Sequence, residues 1–135
     1  MKVNKVDHIG IAVKSIQDSL KLYRDTLGLD LKGIETIEDR KLKTAFLEIG
    51  ESKFELLEPT DDSSTIQKHI DKRGEGIQHI AVNVDNIDEA MNELRENGYR
   101  LLSEEPQPGA GGTRVAFLHP KSSKGVLLEL VEGSH

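Results

Sequence analysis

The chain has 135 residues, of which 36% are hydrophobic, and it contains no cysteine. This length suits one compact domain or two very small ones, and the absence of cysteine excludes disulfides, thiolate metal sites and a cysteine nucleophile. The formal net charge of −6 argues against general nucleic-acid binding, and no apolar run approaches the roughly 18 residues that would predict a membrane span.

The first half of the chain predicts a strand, a helix and three further strands. The apolar run Val6–Val13 is typical of a buried strand. Ser15, with Asp18 three residues later, has the pattern of a helix N-cap, and Gly28 lies where a C-terminal glycine belongs. The three strands that follow are predicted at Asp30–Glu35, Lys41–Ile49 and Lys53–Glu58.

A polar linker, residues 61–75, then precedes a second half with the same order of elements. The linker contains a predicted short helix from Ser64 to about Ile70. The second half begins with the strand Ile77–Val84, and a helix capped by Asn86 follows and ends near Gly98. Its remaining strands are predicted at Arg100–Ser103, Thr113–Leu118 and Val126–Val131.

The two halves are related by an internal repeat. His8 aligns with His79, and "TAFL" from Thr44 aligns with "VAFL" from Val115, both at an offset of 71 residues. Glu55 aligns with Glu129 at an offset of 74, which indicates a three-residue insertion in the second hairpin. Matches in the same order across three separate segments indicate a duplicated strand–helix–three-strand unit.

The predicted fold class is therefore α+β, with two paired βαβββ modules. The first module covers residues 1–60 and the second covers residues 76–135, within one compact domain. A four-stranded sheet with a helix on one face needs cover on its other face. We therefore expect the modules to form a curved mixed sheet around a metal-binding cleft.

Four polar residues are related by the repeat and lie on strand faces opposite the apolar faces that pack on the helices. These are His8 and His79 on the first strands, and Glu55 and Glu129 on the fourth strands. Alone, a strand histidine or glutamate is more often structural or solvated. Four metal-compatible residues recurring in register instead favour a divalent metal site, because imidazole and carboxylate suit Zn²⁺, Co²⁺, Mn²⁺, Ni²⁺ or Fe²⁺, and a cation compensates buried carboxylates.

Several stretches, "VDHIGIAV", "YRDTLGL", "FELLEP", "IQHIAVNVD" and "HPKSSKGVLLEL", resemble the vicinal oxygen chelate superfamily over nearly the whole chain. Within it, the sequence is most similar to the methylmalonyl-CoA epimerase family. The resemblance implies that His8, Glu55, His79 and Glu129 are the metal ligands. It further implies an isomerase that interconverts (R)- and (S)-methylmalonyl-CoA through a metal-stabilised enolate. The protein partner is expected to be a second copy of the chain, in a homodimer, and the expected location is cytoplasmic.

Epimerisation requires removal of a proton from one face of a carbon and its return on the other. The resemblance implies that Glu129 is one acid/base. Some members of the family carry a second glutamate in the third strand, where this chain has Thr44, which cannot act as a base. Either Glu55, Glu48 or a water molecule is then the second acid/base, with Glu55 as the favoured candidate, or the function has drifted from that of the family.

Substrate contacts are expected from the segment "HPKSSKG" and from the third strand. His119, Lys121 and Ser122 are the candidates in the segment, and Thr44 is the candidate in the strand. Lysines can meet the phosphates of coenzyme A. The alternative interpretation of the segment is an ordinary surface loop.

Two other functions stay open at this level. Glyoxalase I, a lactoylglutathione lyase, uses the same ligand positions, although "HPKSSKG" replaces its usual "DPDGY"-type turn. A metal-free small-molecule-binding protein of the same fold is the second alternative. Neither requires nucleic acid or a membrane. His135 is left out of the candidate site because the last residues are typical of a frayed tail.

Overall fold

A computed structural model describes residues 1–133 of the chain. Its contacts divide these residues into two compact units. The first unit is His8–Gln78, and the second unit comprises Met1–Asp7 and the chain from His79 onward. The module limits at residues 60 and 76 stay predictions, and His135 lies outside the described residues. Within residues 1–133, no helix is long and apolar enough to cross a membrane.

The first unit has the predicted order of elements. Strand β1 pairs in parallel with β4, and β4, β3 and β2 follow as antiparallel neighbours. The linker helix runs to Arg73, three residues beyond the predicted end, and the side chain of Ser64 caps its N-terminus. The elements are β1 Val3–Ala12, which lies in this unit from His8 onward, α1 Ile16–Leu20, a π-helical segment Lys21–Thr26, β2 Asp30–Ile37, a 3₁₀ turn Glu38–Arg40, β3 Leu42–Ile49, β4 Ser52–Pro59 and α2 Thr65–Arg73.

The first predicted helix changes its hydrogen bonding halfway along. After Leu20 the helix becomes π-helical, and the N–H of Leu27 donates to the carbonyl of Leu22, five residues earlier. The hydroxyl of Thr26 donates to the carbonyl of Lys21 and takes part of the acceptor capacity of this wider turn. The helix ends at Gly28, whose φ of 74° is the left-handed conformation expected of a C-terminal glycine.

Alternation along β1 and β4 separates a core face from a polar face, as predicted. Ile11, Val13 and Leu56 pack with Ile16 and Leu20 of α1 in the main core of the first unit. On the other face, α2 packs in a second cluster whose buried members are Ala12, Leu42, Leu57, Ile66 and Ile70. The odd-numbered residues of β1 therefore pack on α1, and the even-numbered face, which carries His8, packs on α2 at Ala12.

The second unit repeats this arrangement with shorter outer strands. Strand β5 pairs in parallel with β8, and β7 and β6 follow as antiparallel neighbours. The core contains Val84, Ile87, Met91 and Leu130, again on the face opposite the histidine. The elements are β5 Gly76–Val84, which lies in this unit from His79 onward, α3 Ile87–Glu96, β6 Gln107–Pro108, a 3₁₀ turn Ala110–Gly112, β7 Arg114–Phe117 and β8 Leu128–Glu132.

The predicted strand at Arg100–Ser103 is wrong. Only Leu101 forms a bridge, to Leu118, and the outer strand is the two-residue β6. The guanidinium of Arg95 donates hydrogen bonds to the carbonyls of Ser103 and Glu104, so these carbonyls are occupied by a side chain. The proline that follows at position 106 has no N–H to offer a strand ladder.

Candidate metal centre

In the first unit, the strand register brings His8 and Glu55 together. Parallel pairing sets Gly10 opposite Glu55, two residues beyond His8 on the same face. The Nε2 atom of His8 lies 3.3 Å from Oε1 of Glu55. Both residues are buried. Phe46 of β3 pairs with Glu55 of β4, and its ring meets the His8 imidazole edge to face, with 6.2 Å between ring centroids.

In the second unit, His79 and Glu129 form the same arrangement. Parallel pairing sets Ala81 opposite Glu129, again two residues beyond the histidine. The Nε2 atom of His79 lies 3.3 Å from Oε1 of Glu129, and both residues are buried. Phe117 of β7 pairs with Glu129 of β8, and its ring meets the His79 imidazole edge to face, with 5.9 Å between ring centroids. The duplication inferred from the sequence therefore extends to the atoms of the candidate site.

The spacing within each pair suits two ligands of one metal ion. A nitrogen and an oxygen that each lie about 2.1 Å from an ion are about 3.0 to 3.4 Å apart at ordinary tetrahedral or octahedral angles. The observed separation is 3.3 Å in both pairs. This is longer than the roughly 2.7 to 2.9 Å of a charge-assisted hydrogen bond. The donor set and its spacing thus fit a divalent metal.

Each fourth strand carries a second carboxylate whose role sequence reasoning missed. Oε1 of Glu58 accepts the N–H of Ile16 at 2.7 Å, and Oε2 of Glu132 accepts the N–H of Ile87 at 2.9 Å. These are the first N–H groups of α1 and α3, which have no partner inside their helices. Both carboxylates lie three residues after the candidate ligands Glu55 and Glu129, so the repeat contained the signal. They tie each helix to the strand that carries a candidate ligand.

The second of these carboxylates is also part of a surface ion-pair group. The guanidinium of Arg114 lies 3.2 Å from Glu132 and from Asp88. The hydrogen bonds to Asp88 and then to Glu132 raise the pKa of Arg114 above its usual value. Through these two carboxylates, Arg114 links the start of α3 to β8.

The two candidates on β3, Thr44 and Glu48, lie in different environments. Thr44 is buried, with 1% of its surface exposed. Glu48 lies at the end of β3, where half of its side chain is exposed and Lys32 is 3.8 Å away. This exposed position near a lysine does not favour Glu48 as the second acid/base.

The "HPKSSKG" segment forms a compact turn rather than an extended loop. The N–H of Lys121 donates to Nδ1 of His119 at 3.1 Å, and the N–H of Ser122 donates to the carbonyl of His119 at 2.8 Å. The hydroxyl of Ser122 accepts the N–H of Arg100 at 2.9 Å. His119 follows Leu118, which bridges Leu101, and it lies two residues beyond Phe117, the last residue of β7. Lys121 is exposed.

The sequence model of the Glyoxalase/Bleomycin resistance protein/Dioxygenase superfamily matches residues 7–117. The chain belongs to this superfamily, as the resemblance predicted.

Its similar proteins include methylmalonyl-CoA epimerases. The mitochondrial methylmalonyl-CoA epimerase of Dictyostelium discoideum is 37% identical over 96% of this chain and 79% of its own. Among solved structures, hypothetical protein BH1468 from Bacillus halodurans has a TM-score of 0.96 at 54% identity, covering 99% of this chain and 97% of its own. A variant of Streptomyces coelicolor methylmalonyl-CoA epimerase in complex with 2-nitronate-propionyl-CoA has a TM-score of 0.93 at 37% identity, covering 99% and 100%.

These likenesses confirm the predicted fold class of two paired βαβββ modules. A more distant relative, the lactoylglutathione lyase of Salmonella typhimurium, is 27% identical over 93% of this chain and 90% of its own. The similarity therefore favours the epimerases over the lyase.

Proposed function

We propose that this protein is a metal-dependent epimerase that interconverts (R)- and (S)-methylmalonyl-CoA. The observation that carries the proposal is the pair of equivalent, buried histidine–glutamate sites in a chain that aligns with methylmalonyl-CoA epimerases over nearly its whole length. An acyl-CoA ligand occurs in the Streptomyces coelicolor complex, which supports a coenzyme A thioester as the substrate.

We further propose that both pairs ligate one divalent ion. His8, His79 and Glu129 supply nitrogen and oxygen atoms of the kind such an ion takes, and Glu55 is the fourth ligand. Two neutral imidazoles and two carboxylates suit Co²⁺, Zn²⁺, Mn²⁺ or Ni²⁺. When bound, the ion supplies Lewis-acid stabilisation of negative charge on the thioester oxygen.

The proposed reaction removes the acidic hydrogen at C2, which lies between the thioester and the carboxylate. Glu129 takes this proton on one face of the carbon, and a second acid/base returns a proton on the other face. Glu55 is the proposed second group, because it is the carboxylate that the repeat makes equivalent to Glu129. Phe46 and Phe117 pack against the two imidazoles and hold the ring orientations that this chemistry needs.

His119, Lys121 and Ser122 are the proposed substrate contacts in the second unit. The Nδ1 atom of His119 accepts the N–H of Lys121, so in the neutral ring the proton resides on Nε2. His119 can then donate a hydrogen bond to a substrate oxygen. Lys121 adds a positive charge at the same turn, which suits the carboxylate or a phosphate of the substrate.

The decisive experiment follows the proton at C2. The protein, purified without chelator, is incubated with (R)-methylmalonyl-CoA in D₂O, and deuterium incorporation and formation of the S epimer are measured. Both are expected, together with stoichiometric metal. Absence of exchange together with isomerisation of the glutathione hemithioacetal would establish the lactoylglutathione lyase activity instead. If the protein contains no metal and binds methylmalonyl-CoA without exchanging the proton at C2, it is a binding protein of this fold.

A homodimer and a cytoplasmic location remain part of the proposal. Sedimentation equilibrium measures the first, with twice the 15.0 kDa chain mass expected. Fluorescence microscopy of a tagged chain in its source cell measures the second.

A further inference from the structure

The hydroxyl of Thr44 is a buried polar group with no hydrogen-bond partner among residues 1–133. Thr44 lies in the middle of β3, pairs with Leu57, and is two residues from Phe46 on the same strand face. Phe46 pairs with Glu55 and contacts His8, so Thr44 belongs to the ligand face of the first unit. Only 1% of Thr44 is exposed.

A buried hydroxyl without a partner loses its hydrogen bonds to water and receives none in return. Such groups are rare in folded proteins, and each one calls for a physical explanation. Other buried hydroxyls here are satisfied. Thr113, for example, donates to the carbonyl of Ala110 at 2.8 Å.

The repeat shows that the fold itself does not need this hydroxyl. Val115 occupies the equivalent position in β7 and pairs with Val131, just as Thr44 pairs with Leu57. Val115 is buried in an apolar cluster with Ala81 and Val131. Valine has nearly the shape of threonine, so the second unit demonstrates that an apolar side chain fills this strand position.

We infer that Thr44 is a substrate-binding residue whose hydroxyl donates a hydrogen bond to an oxygen of the acyl group. The inference rests on the proposed function and names one contact within it. A hydroxyl has no basicity at neutral pH, so Thr44 orients the acyl group and takes no part in moving the proton. The hydroxyl is desolvated before the substrate arrives, which spares the complex part of its desolvation cost.

The test compares Thr44→Val, Thr44→Ser and the wild-type protein, with Thr113→Val as the matched control. For Thr44→Val we expect a melting temperature equal to or above that of the wild type. We also expect a KM for methylmalonyl-CoA about tenfold higher, since one hydrogen bond is worth about that factor. Thr44→Ser should restore KM. Thr113→Val should lower the melting temperature and leave KM unchanged, because its hydroxyl has a backbone partner.

Two results would overturn the inference while the proposed function stands. One is a Thr44→Val enzyme with the wild-type KM. The other is a Thr44→Val protein that melts as early as Thr113→Val, which would give the hydroxyl a structural role. If the wild-type protein neither binds nor turns over methylmalonyl-CoA, the proposed function and the inference are overturned together.

Discussion

Replacing Glu58 by alanine should destabilise the protein through the start of α1. Oε1 of Glu58 accepts the N–H of Ile16 at 2.7 Å, and only 2% of the surface of Ile16 is exposed. A hydrogen bond to a charged group contributes about 1.5 to 3 kcal/mol. The Glu58 side chain is 21% exposed, so water partly replaces it, and we expect a loss of about 2 kcal/mol. Lys43, at 3.8 Å, adds little.

Urea denaturation in the presence of a chelator measures this loss without a contribution from metal binding. On heating, the melting temperature should fall by about 8 °C, because a chain of this size loses about 4 °C per kcal/mol. Glu51→Ala, which removes an exposed carboxylate from a turn, is the control for the change in net charge. Glu132→Ala should cost at least as much, because Glu132 also contacts Arg114. The reasoning is refuted if Glu58→Ala and Glu51→Ala unfold within about 0.5 kcal/mol of each other.

Four further predictions concern the candidate site. Glu129→Gln should slow deuterium exchange at C2 by about 10²- to 10⁴-fold with metal content retained; an unchanged rate would remove Glu129 as the base. Glu55→Gln should abolish epimerisation while one epimer still exchanges, and full activity would reject it as the second acid/base. Chelation should lower the free energy of unfolding measured in urea. Added Co²⁺, at 100 times its dissociation constant, should raise this free energy by about 2.7 kcal/mol. An unchanged free energy of unfolding would contradict a resident metal. His119→Ala should raise KM about tenfold at constant metal content, and an unchanged KM would place the turn outside the substrate site.

Much of the fold follows from local sequence patterns, because the patterns report local physics. Ser15 and Asn86 cap their helices as predicted, through hydrogen bonds to Asp18 and Glu89. The core faces of β1 and β5 follow directly from a side-chain period of two. The prediction at Arg100–Ser103 failed because a short apolar run does not reveal that Arg95 and a proline remove its ladder partners.

The candidate site was predicted as a set of residues and not as a geometry. The repeat selected His8, His79, Glu55 and Glu129, since chance does not reproduce four metal-compatible residues in register. The same repeat contained Glu58 and Glu132, but their role as helix partners required knowing that the end of each fourth strand meets the start of a helix.

The sequence by itself determined the duplicated unit, the faces of its strands, its superfamily and the four candidate ligands. Alternation, capping and repetition are properties of neighbouring residues, so they can be read along the chain. The tertiary structure decided the pairing register, and with it the 3.3 Å spacing of each histidine and glutamate. It also decided that Glu48 is exposed, while the hydroxyl of Thr44 is buried with no hydrogen-bond partner in the described part of the chain. Burial and register depend on strands that are far apart in sequence, and for that reason only the folded chain determines them.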